Sequence, residues 1–164
     1  MEIRTAMPED LAAIAQVEKE CFPPAEAATA EEFRERLTYY KDHFWLLFLE
    51  GKLIAFVDGM VTEEENLTDE MYARAQGHNP KGAWQMIFGV NTLPAYRRRG
   101  YAKMLLEAAI KAARKEGRRG LVLTCKKELV DYYAKLGFVD EGVSSSVHGQ
   151  VIWRQMRLTL KENL

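Results

Sequence analysis

The sequence has 164 residues, of which 48% are hydrophobic and 29% are charged, the composition of an ordinary globular protein. This length suffices to bury one hydrophobic core, and no linker or repeat interrupts it, so we expect a single domain over residues 1–164. The formal net charge of −1 excludes a global field that would attract nucleic acid or an anionic membrane.

The two cysteines, Cys21 and Cys125, have neither metal-ligand nor CxxC spacing. The N-terminal residues lack an apolar secretory core, and no apolar run approaches the roughly 20 residues that span a bilayer. We therefore expect free thiols, no metal site and a cytoplasmic location.

The N-terminal half alternates strand and helix signals. Residues 1–5 predict a short edge strand, and Pro8 with two following acids predicts the start of a helix. The apolar face of this helix recurs every three to four residues at Leu11, Ile14, Val17 and Cys21.

Two further elements of this half have clear boundary signals. The run Phe22-Pro23-Pro24 ends the first helix, and Thr29 with Glu32 forms a capping box for a second helix. Apolar residues 44–49 and 52–61 flank a Glu-Gly pair, which predicts a hairpin.

The C-terminal half begins with an apolar run at residues 84–92, which we expect to be one strand. A strongly amphipathic helix follows from Tyr101 and ends near Gly117. Four shorter elements, a strand, a helix and two strands, are expected at residues 121–125, 129–136, 138–143 and 151–159. This mixed order predicts a sheet covered by helices, in an α/β or α+β fold.

The junction before Tyr101 carries the clearest chemical signal. A helix N-terminus presents unpaired N–H groups with partial positive charge, which bind anions. Gly100 and Ala102 leave room for a phosphate to approach the backbone, and the arginines at 97–99 add permanent charge. The junction therefore predicts a pyrophosphate site, although a capped helix with three solvated arginines fits the spacing equally well.

The pattern Pro94-x-x-Arg97-x-x-Gly100-x-Ala102 resembles the acetyl-CoA signature of the GNAT superfamily of N-acetyltransferases. Residues 133–138, with the sequence Tyr-Ala-Lys-Leu-Gly-Phe, resemble the Y-x-x-x-G-F segment after the fifth strand of that family. The resemblance implies an α/β (α+β) fold with a mixed, mostly antiparallel central sheet of six to seven strands and about four helices. It also implies acetyl-CoA as co-substrate.

Other stretches resemble the arylalkylamine (serotonin) N-acetyltransferase branch of that superfamily. Residues 123–125 and 129–133 are similar to its L-x-C … L-V-P-F-Y stretch, and residues 50–56 to its E-G-R-L-V-A-F hairpin. Vertebrate members of the branch carry two histidines where this chain has Met86 and Phe88. The resemblance therefore implies an amine acetyltransferase of the broader, non-vertebrate type and does not imply serotonin as the substrate.

The resemblance also implies which residues contact the co-substrate. They are Val90, Asn91, Thr92, Arg97, Arg98, Arg99, Gly100, Tyr101 and Ala102. The pantetheine arm is implied to pair with residues 90–92 as an added strand, with a backbone N–H near Gly89 or Val90 facing the thioester oxygen.

Tyr133 is implied to be the general acid, because a phenol with an ordinary pKa of about 10 is protonated at neutral pH. Its helical spacing fits a core tyrosine as well. Glu26 is the first candidate for the general base, since residues 21–26 resemble the loop that flanks the substrate in the family. It could equally attract the ammonium group or be a solvated loop acid.

Phe22, Phe88 and Tyr132 are candidates for an apolar acceptor pocket, although core packing is the commoner role of such residues. We expect all three histidines to lie in loops outside the chemistry: His43, His78 and His148.

Together these observations predict direct acetyl transfer from acetyl-CoA to the primary amine of a small molecule, of arylalkylamine or polyamine type. Two alternatives stay open: a protein or peptide N-acetyltransferase, and a non-catalytic acyl-CoA-binding regulatory module. The expected partner is the acceptor amine, without nucleic acid or membrane, and the expected state is a monomer or homodimer.

Overall fold

The computed structural model describes residues 1–161, whose strands form two sheets. The strands of the first sheet are β1 (Glu2–Thr5), β2 (Phe44–Leu49), β3 (Lys52–Asp58) and β6 (Gly89–Thr92). The strands of the second are β4 (Val61–Thr62), β5 (Trp84–Ile87), β7 (Gly120–Cys125), β8 (Val139–Val143) and β9 (Arg154–Thr159).

The two sheets have the orders β1-β2-β3-β6 and β4-β5-β7-β9-β8. The pair β5–β7 is parallel, whereas the other pairs in the described part are antiparallel. The expected α+β architecture is thus confirmed, with two sheets of four and five strands in place of one sheet of six to seven.

The helices are α1 (Leu11–Cys21), α2 (Ala30–Tyr40), α3 (Asp69–Ala73), α4 (Tyr101–Lys115) and α5 (Val130–Ala134). The capping box predicted for α2 is present, because Glu32 N donates to Thr29 Oγ1 at 3.2 Å and Thr29 N donates to Glu32 Oε1 at 3.1 Å. The apolar face of α4 is buried against the sheets, as its periodicity predicts. No helix in residues 1–161 is long and apolar enough to cross a bilayer.

The prediction of one strand over residues 84–92 is wrong, because the chain changes sheets at Phe88. The backbone N–H of Phe88 bonds to Asp58 O at 2.7 Å, while two residues earlier Met86 N bonds to Met60 O at 2.8 Å. The facing chain crosses between sheets at Gly59, where a Cβ would lie 1.8 Å from the Met86 carbonyl oxygen. Only glycine fits at this crossing. Because the chain changes sheets there, the predicted strand over 52–61 is likewise divided between β3 and β4.

The divergence of the sheets separates β6 from β7. Pairing of β5 with β7 ends at Ile87 and Leu123, and β6 pairs only with β3. One backbone edge of β6 is therefore left without a strand partner in the described part of the chain, and a cleft opens beside it.

His43 and His78, expected in loops, are structural residues packed near β5. His43 Nδ1 lies 2.8 Å from Gln85 Oε1, and His78 Nδ1 accepts a hydrogen bond from Val61 N at 3.0 Å. Burial lowers the pKa of His43 and lowers that of His78 to about 4. His78 is therefore a neutral hydrogen-bond acceptor in the folded protein at neutral pH.

We predict that His78→Asn flattens the acid dependence of stability. The variant keeps an acceptor for Val61 but removes a group whose pKa is about 4 when folded and about 6.5 when unfolded. Between these pH values the unfolded wild type binds the extra proton, so its free energy of unfolding falls on acidification, by about 1–2 kcal/mol once solvent screening of this half-buried ring is allowed for. Urea unfolding at pH 7, 6, 5 and 4 measures the effect, and parallel curves for the two proteins would contradict it.

Candidate active site

A cavity of about 200 Å³ lies in the cleft between β6 and β7. The end of α1, the loop after it, α2, α3, α5 and the loop before β9 all contribute to its lining. The lining includes charged, aromatic and strand residues: Glu18, Phe22, Glu26, Arg36, Asp58, Tyr72, Phe88, Gly89, Val90, Tyr133, His148 and Trp153.

Several residues predicted from sequence meet in this cavity. The lining includes Phe22, Glu26, Phe88, Val90 and Tyr133. These residues come from three separate segments of the chain, so the fold brings the predicted positions together.

Tyr132, also predicted to line the pocket, lies outside this lining. Its side chain is 38% exposed, and its ring packs edge-on against Tyr133 with 5.1 Å between centroids. Tyr133 itself is buried, and burial raises the pKa of its phenol far above the usual range. Tyr133 is therefore in the protonated state that a general acid needs.

Glu26 is ion-paired inside the site. Its side chain is only 7% exposed, and Lys126 Nζ lies 2.9 Å from Oε1 and 3.2 Å from Oε2. The alternative of a solvated loop acid does not hold. The backbone carbonyl of Glu26 lies 2.8 Å from His148 Nε2, which connects this loop to the segment before β9.

A second charged group, which the sequence reasoning missed, lies deeper in the cavity. Arg36 Nη1 donates to Asp58 Oδ2 at 3.1 Å, and Nη2 donates to the backbone oxygen of Tyr72 at 3.2 Å. Burial raises the pKa of Asp58 to about 7, against the lowering effect of the Arg36 charge.

Glu18 is the third carboxyl of the cavity. Its Oε1 accepts from Asn91 Nδ2 at 2.7 Å and its Oε2 from Ala28 N at 2.9 Å, while burial raises its pKa. The Asn91 side chain therefore points toward α1.

The sequence did contain signals for these residues. Asp58 is the one charge inside the apolar run 53–61. Glu18 and Arg36 fall on apolar helix faces, four residues after Ile14 and three after Phe33. A charge at such a position is buried and needs a partner, which marks it for attention.

His148 was expected as a surface turn residue, but it covers the cavity. Its ring stacks on Tyr72 with 5.0 Å between centroids and an interplanar angle of 14°. Trp153 Nε1 donates to the His148 carbonyl at 2.7 Å, so the two side chains form one cover. Sequence gave no sign of this, because a loop has no periodicity that fixes its position.

The cover is fastened to α3 through Asp69. Its Oδ2 accepts from Val147 N at 2.9 Å, and its Oδ1 accepts a short hydrogen bond from the hydroxyl of Ser146. We define the cover loop as residues 144–153.

The predicted anion site lies at the end of β6. Gly100 is the N-cap of α4 with φ +83°, a conformation that favours glycine, and no side chain of the described residues caps this helix. Arg97 Nε donates to Thr92 O at 2.9 Å, while the stretch 97–100 is exposed. Tyr101 and Ala102, in the first turn, are half-buried.

This arrangement can bind an extended, anionic thioester carrier. The free edge of β6 offers main-chain partners to an extended arm, and the open helix N-terminus beyond it suits phosphate. The cavity at the other end of β6 combines aromatic walls with ionisable groups, which is the environment in which acid–base chemistry operates.

Known structures share this architecture. The chain is similar to the GphF GNAT-like decarboxylase in complex with isobutyryl-CoA, with a TM-score of 0.82 and 22% identity over 98% of this chain and 100% of that one. It is also similar to the loading GNATL domain of CurA from Lyngbya majuscula, with a TM-score of 0.83 and 17% identity over 96% of each chain. These likenesses define the fold as the α+β GNAT fold.

The Acetyltransferase (GNAT) family model matches residues 11–138, and the chain belongs to this family. It is thus an acetyl-CoA-dependent acyltransferase, since acetyl-CoA is the family's co-substrate. The sequence is also distantly similar to serotonin N-acetyltransferase of Mesocricetus auratus, with 26% identity over 164 residues that cover 98% of this chain and 78% of that protein.

We predict that Asp69→Ala frees the cover loop. Hydrogen bonds to a charged acceptor contribute about 1.5–3 kcal/mol each, so the amide of Val147 should exchange with deuterium at least about 10-fold faster. Glu70→Ala is the matched control, because Glu70 is on the same helix but pairs only with Arg74 on the surface. Equal exchange at Val147 in the two variants would show that Asp69 does not hold the loop.

Proposed function

We propose that this protein transfers the acetyl group of acetyl-CoA directly to the primary amine of a small molecule of arylalkylamine or polyamine type. The observation that carries the proposal is the covered cavity at the free end of β6, which is lined by aromatic rings and by the carboxyls of Glu18, Glu26 and Asp58. Two of the three carboxyls are paired with cations of the same lining, Arg36 and Lys126, so the lining keeps an excess of one acidic group, which favours a cationic acceptor. The small cavity favours a small acceptor.

The backbone of β6 supplies the binding geometry in this proposal. Residues 90–92 accept the pantetheine arm along their free edge, and the N–H of Gly89 or Val90 faces the thioester oxygen. One such donor stabilises the developing oxyanion by about 2.7–4 kcal/mol. The first turn of α4, from Gly100 to Ala102, holds the diphosphate with the exposed charges of Arg97, Arg98 and Arg99.

Side chains of the cavity then carry the protons. Phe22 and Phe88 border the acceptor, and Tyr132 supports the ring of Tyr133 from outside. Tyr133 donates its proton to the departing thiolate. Glu26 is the base predicted from sequence. Its ion pair with Lys126 also suits it to orient the ammonium group.

The cover loop favours a small acceptor over a peptide. His148 and Trp153 form part of the wall of the cavity, whereas an N-terminal peptide needs an open groove for the residues that follow its amine. Tyr133, buried and protonated at the cavity, favours an enzyme over a purely regulatory acyl-CoA-binding module.

A turnover screen tests the proposal. The wild-type protein is incubated with acetyl-CoA and a panel of arylalkylamines, polyamines and peptides, and release of the CoA thiol is followed. We expect the highest kcat/KM with a small primary amine, because the covered cavity excludes the chain that follows a peptide amine. CoA release only with peptides, or no CoA release with any amine of the panel, would refute the small-amine assignment.

We predict that Tyr133→Phe lowers kcat by about 10²–10⁴-fold, the usual contribution of a positioned acid, and leaves the affinity for CoA unchanged. Stopped-assay kinetics and CoA calorimetry measure the two quantities. Tyr39→Phe, on the exposed face of α2, is the control. Full activity in Tyr133→Phe would remove Tyr133 from the mechanism, and a parallel loss of CoA affinity would assign it to binding.

A further inference from the structure

Asp58 ends β3 at the point where the two sheets diverge. It pairs with Gly89 in the register of β3 and β6, and its backbone oxygen accepts from Phe88 N at 2.7 Å. Its side chain is 1% exposed and contributes to the cavity lining. The carboxyl is thus fixed beside the residue that begins the free strand edge.

The two oxygens of this carboxyl differ. Oδ2 accepts from Arg36, whereas Oδ1 is buried without a hydrogen-bond partner in the part of the chain that the structure describes. Oδ1 lies against the backbone of Gly89, where a Cβ would be only 2.9 Å away, and the Gly89 amide acts to lower the pKa of the carboxyl although no hydrogen bond of normal geometry joins the two. A buried carboxyl oxygen without a donor is costly, so this position calls for a donor from a ligand.

We propose that Asp58 is the general base of the acetyl transfer, accepting a proton from the acceptor ammonium at Oδ1. This inference rests on the proposed function and deepens it by naming the group that replaces the missing histidine pair. Gly89, one of the two residues whose amide is proposed to face the thioester, lies against the same oxygen, so the base is placed beside the proposed thioester position.

The other carboxyls are less suited to this role. Both oxygens of Glu18 already accept hydrogen bonds, and Glu26 is paired with Lys126. These contacts occupy the carboxyl oxygens that would have to accept the proton of the acceptor ammonium.

The surroundings of Asp58 suit a base that operates near neutral pH. Arg36 from α2 favours its ionised form, while burial and the Glu18 carboxyl from α1 oppose it. Tyr72 from α3, His148 from the cover loop and the Glu26–Lys126 pair face the same cavity. With a pKa of about 7, Asp58 is ionised in half or more of the molecules at and above neutral pH.

The protons balance as follows. The ammonium gives one proton to Asp58, and the neutral nitrogen then attacks the acetyl carbon as the carbon–sulfur bond breaks. The thiolate takes a proton from Tyr133, and Tyr133 recovers one from the amide nitrogen. Asp58 returns its proton to solvent, so each turnover releases one acetamide, one CoA thiol and one proton.

The decisive variant is Asp58→Asn, which has the same shape and keeps an oxygen for Arg36. We expect kcat with an alkylamine to fall by about 10²–10⁴-fold, with CoA affinity unchanged and the ascending limb of kcat/KM near pH 7 lost. The loss should shrink along a series of equally sized amines made progressively more acidic by fluorine, because their neutral form needs no base. Asp10→Asn, which breaks the Arg4–Asp10 pair remote from the cavity, is the control.

Three results separate the possibilities. If the wild type is active and Asp58→Asn has the same pH profile and amine dependence, Asp58 is not the general base. The proposed function then stays intact. A uniform loss across the amine series also overturns Asp58 as the base, since it indicates a structural ion pair. A wild type inactive toward every amine overturns the proposed function itself.

If Asp58→Asn does not fold, the proposal can still be tested on the wild-type protein. Aspartate labelled with carbon-13 at the carboxyl group reports the ionisation of Asp58 by NMR. Its midpoint should coincide with the ascending limb of kcat/KM, and separate midpoints overturn the proposal.

Discussion

The site depends on one steric constraint, the close crossing of two chains where the sheets part. A glycine faces the Met86 carbonyl at a distance that no side chain tolerates, and the chain leaves its sheet at Phe88. If the strands continued straight, β6 would pair with β7 and fill the cleft. Because β6 and β7 do not pair, one backbone edge of β6 is free, and the cleft beside it contains the cavity.

Local signals in the sequence were sufficient for most elements. The capping box at Thr29 and Glu32 and the helix from Tyr101 depend on near neighbours, which a sequence pattern records directly. The anion site is local in the same way, because a loop and the helix turn that follows it are contiguous.

Long-range pairing is what the patterns lacked. An apolar run at 84–92 reads the same whether its residues belong to one sheet or two, so the break at Phe88 had no sequence mark. The Arg36–Asp58 pair and the position of His148 depend on segments 22 or more residues apart. Glu18, Arg36, Asp58 and Tyr72 were therefore not predicted as site residues, whereas Phe22, Glu26, Phe88 and Tyr133 were.

The cavity is built from supports of unequal rigidity. Phe88 and Asp58 belong to the crossing itself, so a change there alters the angle of the sheets along with the pocket. His148 and Trp153 sit on a segment tied down by a few side-chain bonds, and the sheets do not depend on it. Substitutions at residues 144–153 can therefore reshape this wall of the pocket while the crossing of the two sheets stays constant.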